Sequence, residues 1–506
     1  MQPPDRLDLV LQGGKIVDGA GNPWYYGDVG IRDGRIEAIG RLDAVESVAR
    51  IDVAGLVVSP GFIDPHTHAD RDLRQLPHCQ NYLHQGVTTV VGGNCGDSLY
   101  PIGETLDSLR ALPLGINFAQ LLGHGTVRQQ VMGMADRPAT GQELSAMADL
   151  VAQGMAQGAL GMSTGLRYAP GCYAQLEEVV ELSRVVARFG GVYTTHVRDD
   201  SGDSVGLVPA TEEAIAVARR SRVPVQISHL KATGRDEWGK APLLVGMIED
   251  ARREGLDVTF DQYPYAATGG RLSGTLPPRW ALEGGHEKFK ERFRDPAIQQ
   301  RIREGTMANV DRRGGPDAIF VARFAPDPGL EGKSLALIGE GMGLDAVDAG
   351  LEMLSVSDGY IVVFSLKDGD VDHIAGSPLG MVGSDGNLAD FGVGTPHPRC
   401  YGTFPRFLAR FVREKRLLTL EEAVRRMTSA PANRMRLGPR GLLKEGMIAD
   451  ITVFDPEAIA DRATFDEPHQ HPVGVEYVIV NGQVALENGK SRGVSPGHVI
   501  RRAGSA

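Results

Sequence analysis

Eight short apolar runs, most of them followed by a helical stretch, predict an α/β fold of the (β/α)8, TIM-like barrel type. Two further observations complete the prediction. Both ends of the chain read as short strands and tight turns, which points to a small β-sandwich domain formed from both termini. A stretch of about a hundred residues (270–375) breaks the strand–helix rhythm, which points to an insertion before the last barrel strand. The predicted division is 1–58 with 440–506 for the sandwich, 59–439 for the barrel and 270–375 for the insertion.

Size and composition bound this reading. A chain of 506 residues exceeds one ordinary domain, and its 42% apolar and 23% charged content suits a globular enzyme. The net charge of -11 argues against an electrostatic nucleic-acid binder. No apolar run approaches the ~20 residues of a membrane span. The start MQPPDRLDLVLQGG lacks the basic and apolar regions of a secretory signal. Four cysteines are too few for a disulfide framework in a chain this long, so cytoplasmic residence is expected.

Taken in order, residues 7–60 alternate and turn often, with Asp33-Gly34 as a hairpin signal, and the C-terminal part repeats this around Asn481-Gly482. Either end alone is short for a stable core. Candidate barrel strands lie near 57–63, 87–92, 116–122, 159–163, 191–195, 224–228, 256–261 and 380–384. Helix 176–189 puts Leu176, Val179, Val180, Leu182, Val186 and Phe189 largely on one face and stops at Gly190-Gly191. Residues 242–254 behave likewise and stop at Gly255. Thr419 and Glu422 form a capping-box pattern that opens a helix ending near Arg436. The insertion carries its own helical pattern in HEKFKERF and PAIQQRIREG and a further strand at YIVVFSL; it reads as a lid over the barrel mouth or as a decoration.

The chemistry lies at the strand ends. His66 and His68, Cys95, His196, His229 and Asp385 each follow an apolar run that stops at small or turn-forming residues. Parallel strands closed into a barrel present their C-terminal ends on one face, so residues far apart in sequence converge there. Imidazole, thiolate and carboxylate are zinc ligands, which points to a metal-dependent hydrolase. The two histidines of His-x-His point the same way along an extended segment and both reach one ion. Cys95 sits in GGNCG, where glycines permit close backbone approach; Cys79, Cys172 and Cys400 lack that setting and read as small buried hydrophobes. Asp385 in GSDG can take a proton from water whose pKa zinc lowers to ~7. His196 and His229 are each followed at the second position by a base, Arg198 and Lys231, and His124 lies at the same face behind the ligands. The remaining histidines considered (78, 84, 286, 373, 469, 471 and 498) read as surface or structural. Competing motifs fail: DPGLEGKS lacks the first glycine of a phosphate loop, GEGMGL has the wrong spacing for a dinucleotide fingerprint, and no G-x-S-x-G elbow occurs.

PGFIDPHTH, QGVTTVVGGNCG, LLGHGT, STGLRYAP, THVRD, ISHLK, DQYPY, GSDG, PHPRCYGTFPR and MTSAPANR run in order through nearly the whole chain. With these words the chain resembles the amidohydrolase superfamily and, within it, the N-acyl-D-amino-acid deacylases (D-aminoacylases). The distinguishing feature is the cysteine of GNCG, where other branches use a carboxylated lysine. The resemblance implies a distorted barrel, with Cys95, His196 and His229 holding a tightly bound zinc, and with His66, His68 and Asp385 lining a second, weaker or empty metal position. It implies that Lys231, Arg399, Tyr168 and Tyr263 meet the substrate carboxylate, where an Arg fork and added donors are suited to the task. Two departures stand out. AATGGRLSG replaces a serine-rich stretch, leaving Thr268 or Ser273 as substitutes, and NLADFGVGT joins GSDG to PHPR, so a differently shaped loop is expected to carry Arg399. Arg271 and Arg279 lie where an acidic side chain could bind, which would favour N-acyl-D-glutamate or N-acyl-D-aspartate. The implied activity is hydrolysis of a small-molecule N-acyl-D-amino acid to a D-amino acid and a carboxylate, with Asp385 as proton carrier and His66 or Tyr168 at the oxyanion. Alternatives are the same centre acting on a cyclic amide of dihydropyrimidine or hydantoin type or on a dipeptide, and an inactive barrel serving as a binding protein.

Overall fold

The computed structural model describes residues 6–505. One nine-stranded sheet draws on both ends of the chain: Leu7–Ile16, Tyr25–Arg32, Arg35–Gly40, Ser47–Asp52 and Val57–Pro60 join Ile451–Phe454, Val475–Val480, Gln483–Glu487 and Lys490–Ser491. The seam is the antiparallel pairing of Val57–Pro60 with Ile451–Phe454. Leu9, Leu11, Ile16, Val29 and Ile31 share one core with Ile451, Val453 and Ile479, so neither end buries its apolar face alone. Both expected hairpins form. Asp33-Gly34 (φ 51° and 73°) and Asn481-Gly482 (φ 48° and 82°) supply the two positive φ angles a two-residue turn needs.

Eight parallel strand positions follow in two arcs. Phe62–Asp64, Val87–Gly92 and Asn117–Gln120 form the first. The second comprises Leu122–Gly123, Gly161–Gly165, Val192–His196, Val225–Ile227, Val258–Gln262 and Gly380–Val382. The arcs meet at Leu121, where one strand passes from the first arc to the second. Between the first and last strands the ladder gives way to a single bridge, Thr67 to Gly386, and to the Asp64 carboxylate, which accepts from the Ser384 N–H at 3.1 Å. These two seams are the distortion of the barrel.

Three boundaries differ from the sequence reading. The run at 57–63 is two strands, parted at Gly61, where a Cβ would lie 2.3 Å from Thr88 Oγ1. Its first half belongs to the terminal sheet and its second half to the barrel. The helix from Thr419 ends at Met427 and restarts over Ser429–Met435; Pro431 has no N–H and crowds the carbonyl of Met427, so the turn breaks at Thr428. Thr419 caps through its side chain, but Glu422 turns to Arg425 and leaves the box half made. The strand expected at 380–384 stops at Val382, because Asp385 already turns into the left-handed region at φ 51°.

Between strands Val258–Gln262 and Gly380–Val382 lies a separate antiparallel sheet, in the order Thr268–Arg271, Tyr360–Val363, Ile319–Arg323. Helices His286–Arg294, Pro296–Arg312, Leu335–Met342 and Ala346–Val356 cover it. Phe289, Ile302, Val321, Leu351 and Ile361 belong to a core distinct from that of the barrel. YIVVFSL supplies the central strand. Its partner TGGR carries no apolar alternation, which is why no strand was legible there. No helix among the described residues is long and apolar enough to cross a membrane.

Candidate metal centre

Cys95, His229 and Asp385 all leave their strands with positive φ, at 55°, 36° and 51°. Non-glycine residues rarely adopt this region, and such strain clusters at functional sites. The turn at Cys95 is allowed by its neighbours. A Cβ on Gly165 would lie 2.1 Å from the Cys95 carbonyl oxygen, and one on Gly96 2.5 Å from the Gly165 nitrogen. The GGNCG loop therefore rests directly on the backbone of the next strand.

Around Cys95 Sγ stand His66 Nε2 at 3.4 Å, His229 Nε2 at 3.6 Å and His196 Nδ1 at 3.7 Å. Bonds of 2.3 Å to sulfur and ~2.05 Å to nitrogen at a tetrahedral angle give a sulfur–nitrogen edge of about 3.5 Å. The spacing is thus that of ligands about one zinc ion. Asp385 Oδ1 is 3.6 Å from His66 Nε2 and 3.1 Å from His68 Nε2. One atom each of His66, Cys95, His229 and Asp385 lies within 4.8 Å of the other three. His196 joins them at the sulfur, whereas His68 joins through Asp385. The three-plus-three division implied by the resemblance is less sharp here, since His66 is as near the sulfur as His196 and His229.

The surroundings set proton positions suited to a cation. His66 Nδ1 is 3.0 Å from Asp261 Oδ1 and keeps its proton there. Burial lowers the imidazole, but Asp261 and Cys95 outweigh it and hold it well above its ordinary value, so a cation would displace the proton on Nε2, which faces the cluster. His196 presents Nδ1 inward with Nε2 3.6 Å from Asp200. Burial pushes the Cys95 thiol up, but His66 and hydrogen bonds from His196 and His229 outweigh it and hold the sulfur well below its ordinary value. Burial, Lys231 and His196 push His229 down to about 4, keeping it neutral as a ligand must be. For Asp385, burial raises and Arg399 and His229 lower, with the net well below the usual carboxylate range.

Residues 49–291 and 375–486 match the amidohydrolase family. The chain belongs to that family. The unmatched stretch 292–374 falls within the insertion. A D-aminoacylase of Alcaligenes xylosoxydans xylosoxydans is 36% identical over 519 residues, covering 98% of each chain. The solved structure of N-acyl-D-glutamate deacylase from Bordetella bronchiseptica, complexed with zinc and a phosphonate mimic of the tetrahedral intermediate, superposes with a TM-score of 0.86. It is 34% identical and covers 98% of this chain and 100% of that one. L-Hydantoinase (dihydropyrimidinase) from Arthrobacter aurescens, at 18% identity and a TM-score of 0.60 over 98% of this chain and 100% of that one, shares the fold.

In this amidohydrolase the cluster opens into a cavity of about 1360 Å³, lined by barrel loops and by insertion residues such as Arg279, Trp280 and Tyr360. All four residues expected at the substrate line it. Lys231 Nζ lies 2.8 Å from His229 Nδ1 and 3.2 Å from Asp200 Oδ2. Arg399 Nη1 lies 2.8 Å from Asp385 Oδ2, with its guanidinium over the Tyr263 ring at 4.9 Å. The Tyr263 hydroxyl is buried with no hydrogen-bond partner among the described residues, and burial holds its proton on. Tyr168 stands edge-on to His196 at 4.8 Å.

Other expectations meet different surroundings. Arg198 turns to Glu213 at 2.7 Å, so only Lys231 of the paired bases faces the cavity. Thr268 and Ser273 both line the cavity, and the Ser273 hydroxyl donates to Asp358 at 2.7 Å. Arg271 and Arg279 both line the cavity, as expected, Arg271 lying over Tyr360 and Arg279 donating to Asp203 at 2.8 Å. His124 is 2.8 Å from Glu178, behind the cavity wall.

Asp261, Asp200 and His397 were not singled out from sequence, although Asp261 opens the quoted word DQYPY. Asp261 Oδ1 receives the His66 ring and the His229 N–H (2.7 Å), and Oδ2 receives Gln226 Nε2 at 2.6 Å. Gln226 Oε1 has no partner, so the Gln226 amide can flip to receive an amide at 261. Asp261→Asn is therefore expected to fold normally while weakening zinc affinity by about 10- to 100-fold, read by competition with a chromogenic chelator. Unchanged affinity would remove Asp261 from the centre.

Proposed function

We infer that this chain hydrolyses the amide bond of N-acyl-D-amino acids, releasing a D-amino acid and a carboxylate, with zinc as cofactor. The observation that carries the reading is a thiolate–imidazole–carboxylate cluster with zinc-like spacing, set beside two buried cations, Lys231 and Arg399, in one cavity. A substrate with a free carboxylate next to its scissile amide suits that pairing; a cyclic amide has no such group to offer Lys231 and Arg399. The D preference is carried over from the D-aminoacylase and N-acyl-D-glutamate deacylase that the chain resembles over its full length.

Cys95, His196 and His229 are the residues that would hold a tightly bound zinc, and His66, His68 and Asp385 would line a second, weaker or empty metal position. The chemistry zinc supplies when bound is polarisation of the amide carbonyl and a water pKa lowered to ~7. Asp385 accepts the proton of the attacking water and returns it to the leaving nitrogen. Arg399 and Lys231, with Tyr168 and Tyr263, hold the substrate carboxylate and so fix the scissile carbonyl. Tyr168 faces the developing oxyanion; with a cation in the cluster, His66 keeps one ring proton, which Asp261 takes, and has none left to donate there. An Nδ1 of His229 that accepts from Lys231 leaves the ring proton on Nε2, aimed at Cys95. With a cation on Nε2 the proton belongs on Nδ1, and Lys231 then keeps Asp200 and the substrate as its partners.

We also propose the expected division, 1–58 with 440–506, 59–439 and an insertion at 270–375, with the first boundary moved to Pro60 by the strand Val57–Pro60 and the insertion opening at Thr268. The four cysteines are unpaired, which suits a reducing, cytoplasmic compartment. The test of function is a panel of N-acetyl-D- and N-acetyl-L-amino acids beside dihydrouracil, run with the zinc-reconstituted protein and scored by amine release. Turnover confined to the D series is expected. Lys231→Met is expected to lower kcat/KM by at least about 30-fold through loss of a charged hydrogen bond. Hydrolysis of dihydrouracil alone would overturn the reading.

A further inference from the structure

His397 lies between the two sides of the cavity that carry Arg399 and Tyr263, and both of its ring nitrogens are engaged. Nδ1 accepts from the Arg399 N–H at 3.0 Å, and Nε2 lies 3.1 Å from the Ala267 carbonyl oxygen. An accepting Nδ1 requires the proton on Nε2, so the ring is neutral and donates to Ala267. Burial first, and then the Arg399 guanidinium, hold the imidazole well below its ordinary value. Arg399 opens the helix Arg399–Phe407, whose first N–H groups have no partner within the helix. His397 Nδ1 takes the place that a capping oxygen usually fills. Pro396 and Pro398 flank the histidine; the ring of Pro398 keeps the residue before it out of the helical region, so the imidazole is presented in one direction.

Ala267 follows the strand Val258–Gln262 by a few residues, in the segment that also carries Tyr263. The imidazole stands edge-on to Tyr263 at 6.2 Å and to Tyr265 at 5.2 Å, and Phe465 closes its other side at 5.0 Å. One small ring thus ties the start of the Arg399 helix to the Tyr263 segment. The separation it sets is the one across which the Arg399 guanidinium lies over the Tyr263 ring.

Building on the substrate reading above, we propose that His397 is a positioning residue that sets Arg399 against Tyr263 for the substrate carboxylate. A histidine that merely filled the core would affect all substrates alike. A positioning histidine affects those that carry the carboxylate. The test uses the zinc-loaded protein, the N-acetyl-D-amino acid turned over fastest in the panel, and the α-carboxamide of that substrate. His397→Ala is expected to raise KM for the acid about tenfold with kcat within about threefold, and to leave KM for the carboxamide unchanged. His397→Asn keeps the cap on Arg399, since its Oδ1 can accept from the N–H two residues on, but loses Ala267, and is expected to restore KM in part, whereas His397→Gln reaches Ala267 without capping Arg399 and does not restore it. The Asn–Gln comparison carries the test if the alanine variant does not fold. Equal effects on acid and carboxamide, no effect on either, or rescue by Gln and not by Asn would each overturn the assignment. A wild-type protein inactive on every N-acyl-D-amino acid would instead sink the function on which it rests.

Discussion

Asp385→Asn is expected to lower kcat by at least about a thousandfold while the protein keeps its zinc. Asparagine has nearly the shape of aspartate and retains one oxygen for the cluster, but it takes no proton at neutral pH. The carboxylate is built into its place. The Asp385 backbone N–H donates to the His66 carbonyl at 2.8 Å, Oδ1 lies 3.1 Å from His68, and Oδ2 lies 2.8 Å from Arg399. Because Arg399 is only 4% exposed, the variant leaves a buried guanidinium without its counter-charge. Breaking such a pair costs about 3–5 kcal/mol, so the melting temperature is expected to fall along with kcat. Single-turnover kinetics and metal analysis on one sample separate the two effects. A zinc-replete Asp385→Asn protein with kcat within tenfold of wild type would remove the proton-carrying role.

What could be read from sequence, and what could not, follows from the same geometry. Each residue that the fold gathers into the cluster ends an apolar run, because a barrel strand buries its length and exposes its C-terminal end. That pattern survives in one dimension, so His66, Cys95, His196, His229 and Asp385 were all legible. So were the Asp-Gly and Asn-Gly hairpins, since their turn type dictates the residues. The residues that orient the ligands were not. Asp261 sits inside a strand among Val258, Phe260 and Gln262, and only the fold brings it under His66, whose number is 195 positions away. His397 reads as part of a proline-rich turn until Ala267 arrives from another segment. The insertion sheet was half legible: YIVV alternates with nothing and is apolar, whereas TGGR depends wholly on its neighbour for its extended form. The split at Gly61 was hidden because both halves of the run are apolar and only their partners differ.

Cys95 allows the sharpest separation of metal binding from folding. Its sulfur lies within 3.7 Å of His66, His196 and His229 alike, so its loss removes their common vertex. Cys95→Ala is expected to lose zinc on dialysis, to fall to background activity and to regain little on zinc addition, because three neutral imidazoles without a thiolate hold the ion far more weakly. Cys95 also sits at φ 55°, a conformation that costs a side chain about 1–2 kcal/mol and a glycine almost nothing. Cys95→Gly therefore removes the ligand and relieves the turn together. Its metal-free form is expected to melt no lower than metal-free wild type, while zinc no longer raises its melting temperature as it does for the parent. That pairing matters because a cysteine serving only as buried filler predicts the reverse: zinc content unchanged, and a loss of stability in proportion to the volume removed. Full zinc occupancy in either variant, measured by metal analysis after dialysis, would take Cys95 out of the centre and the shared-vertex geometry with it.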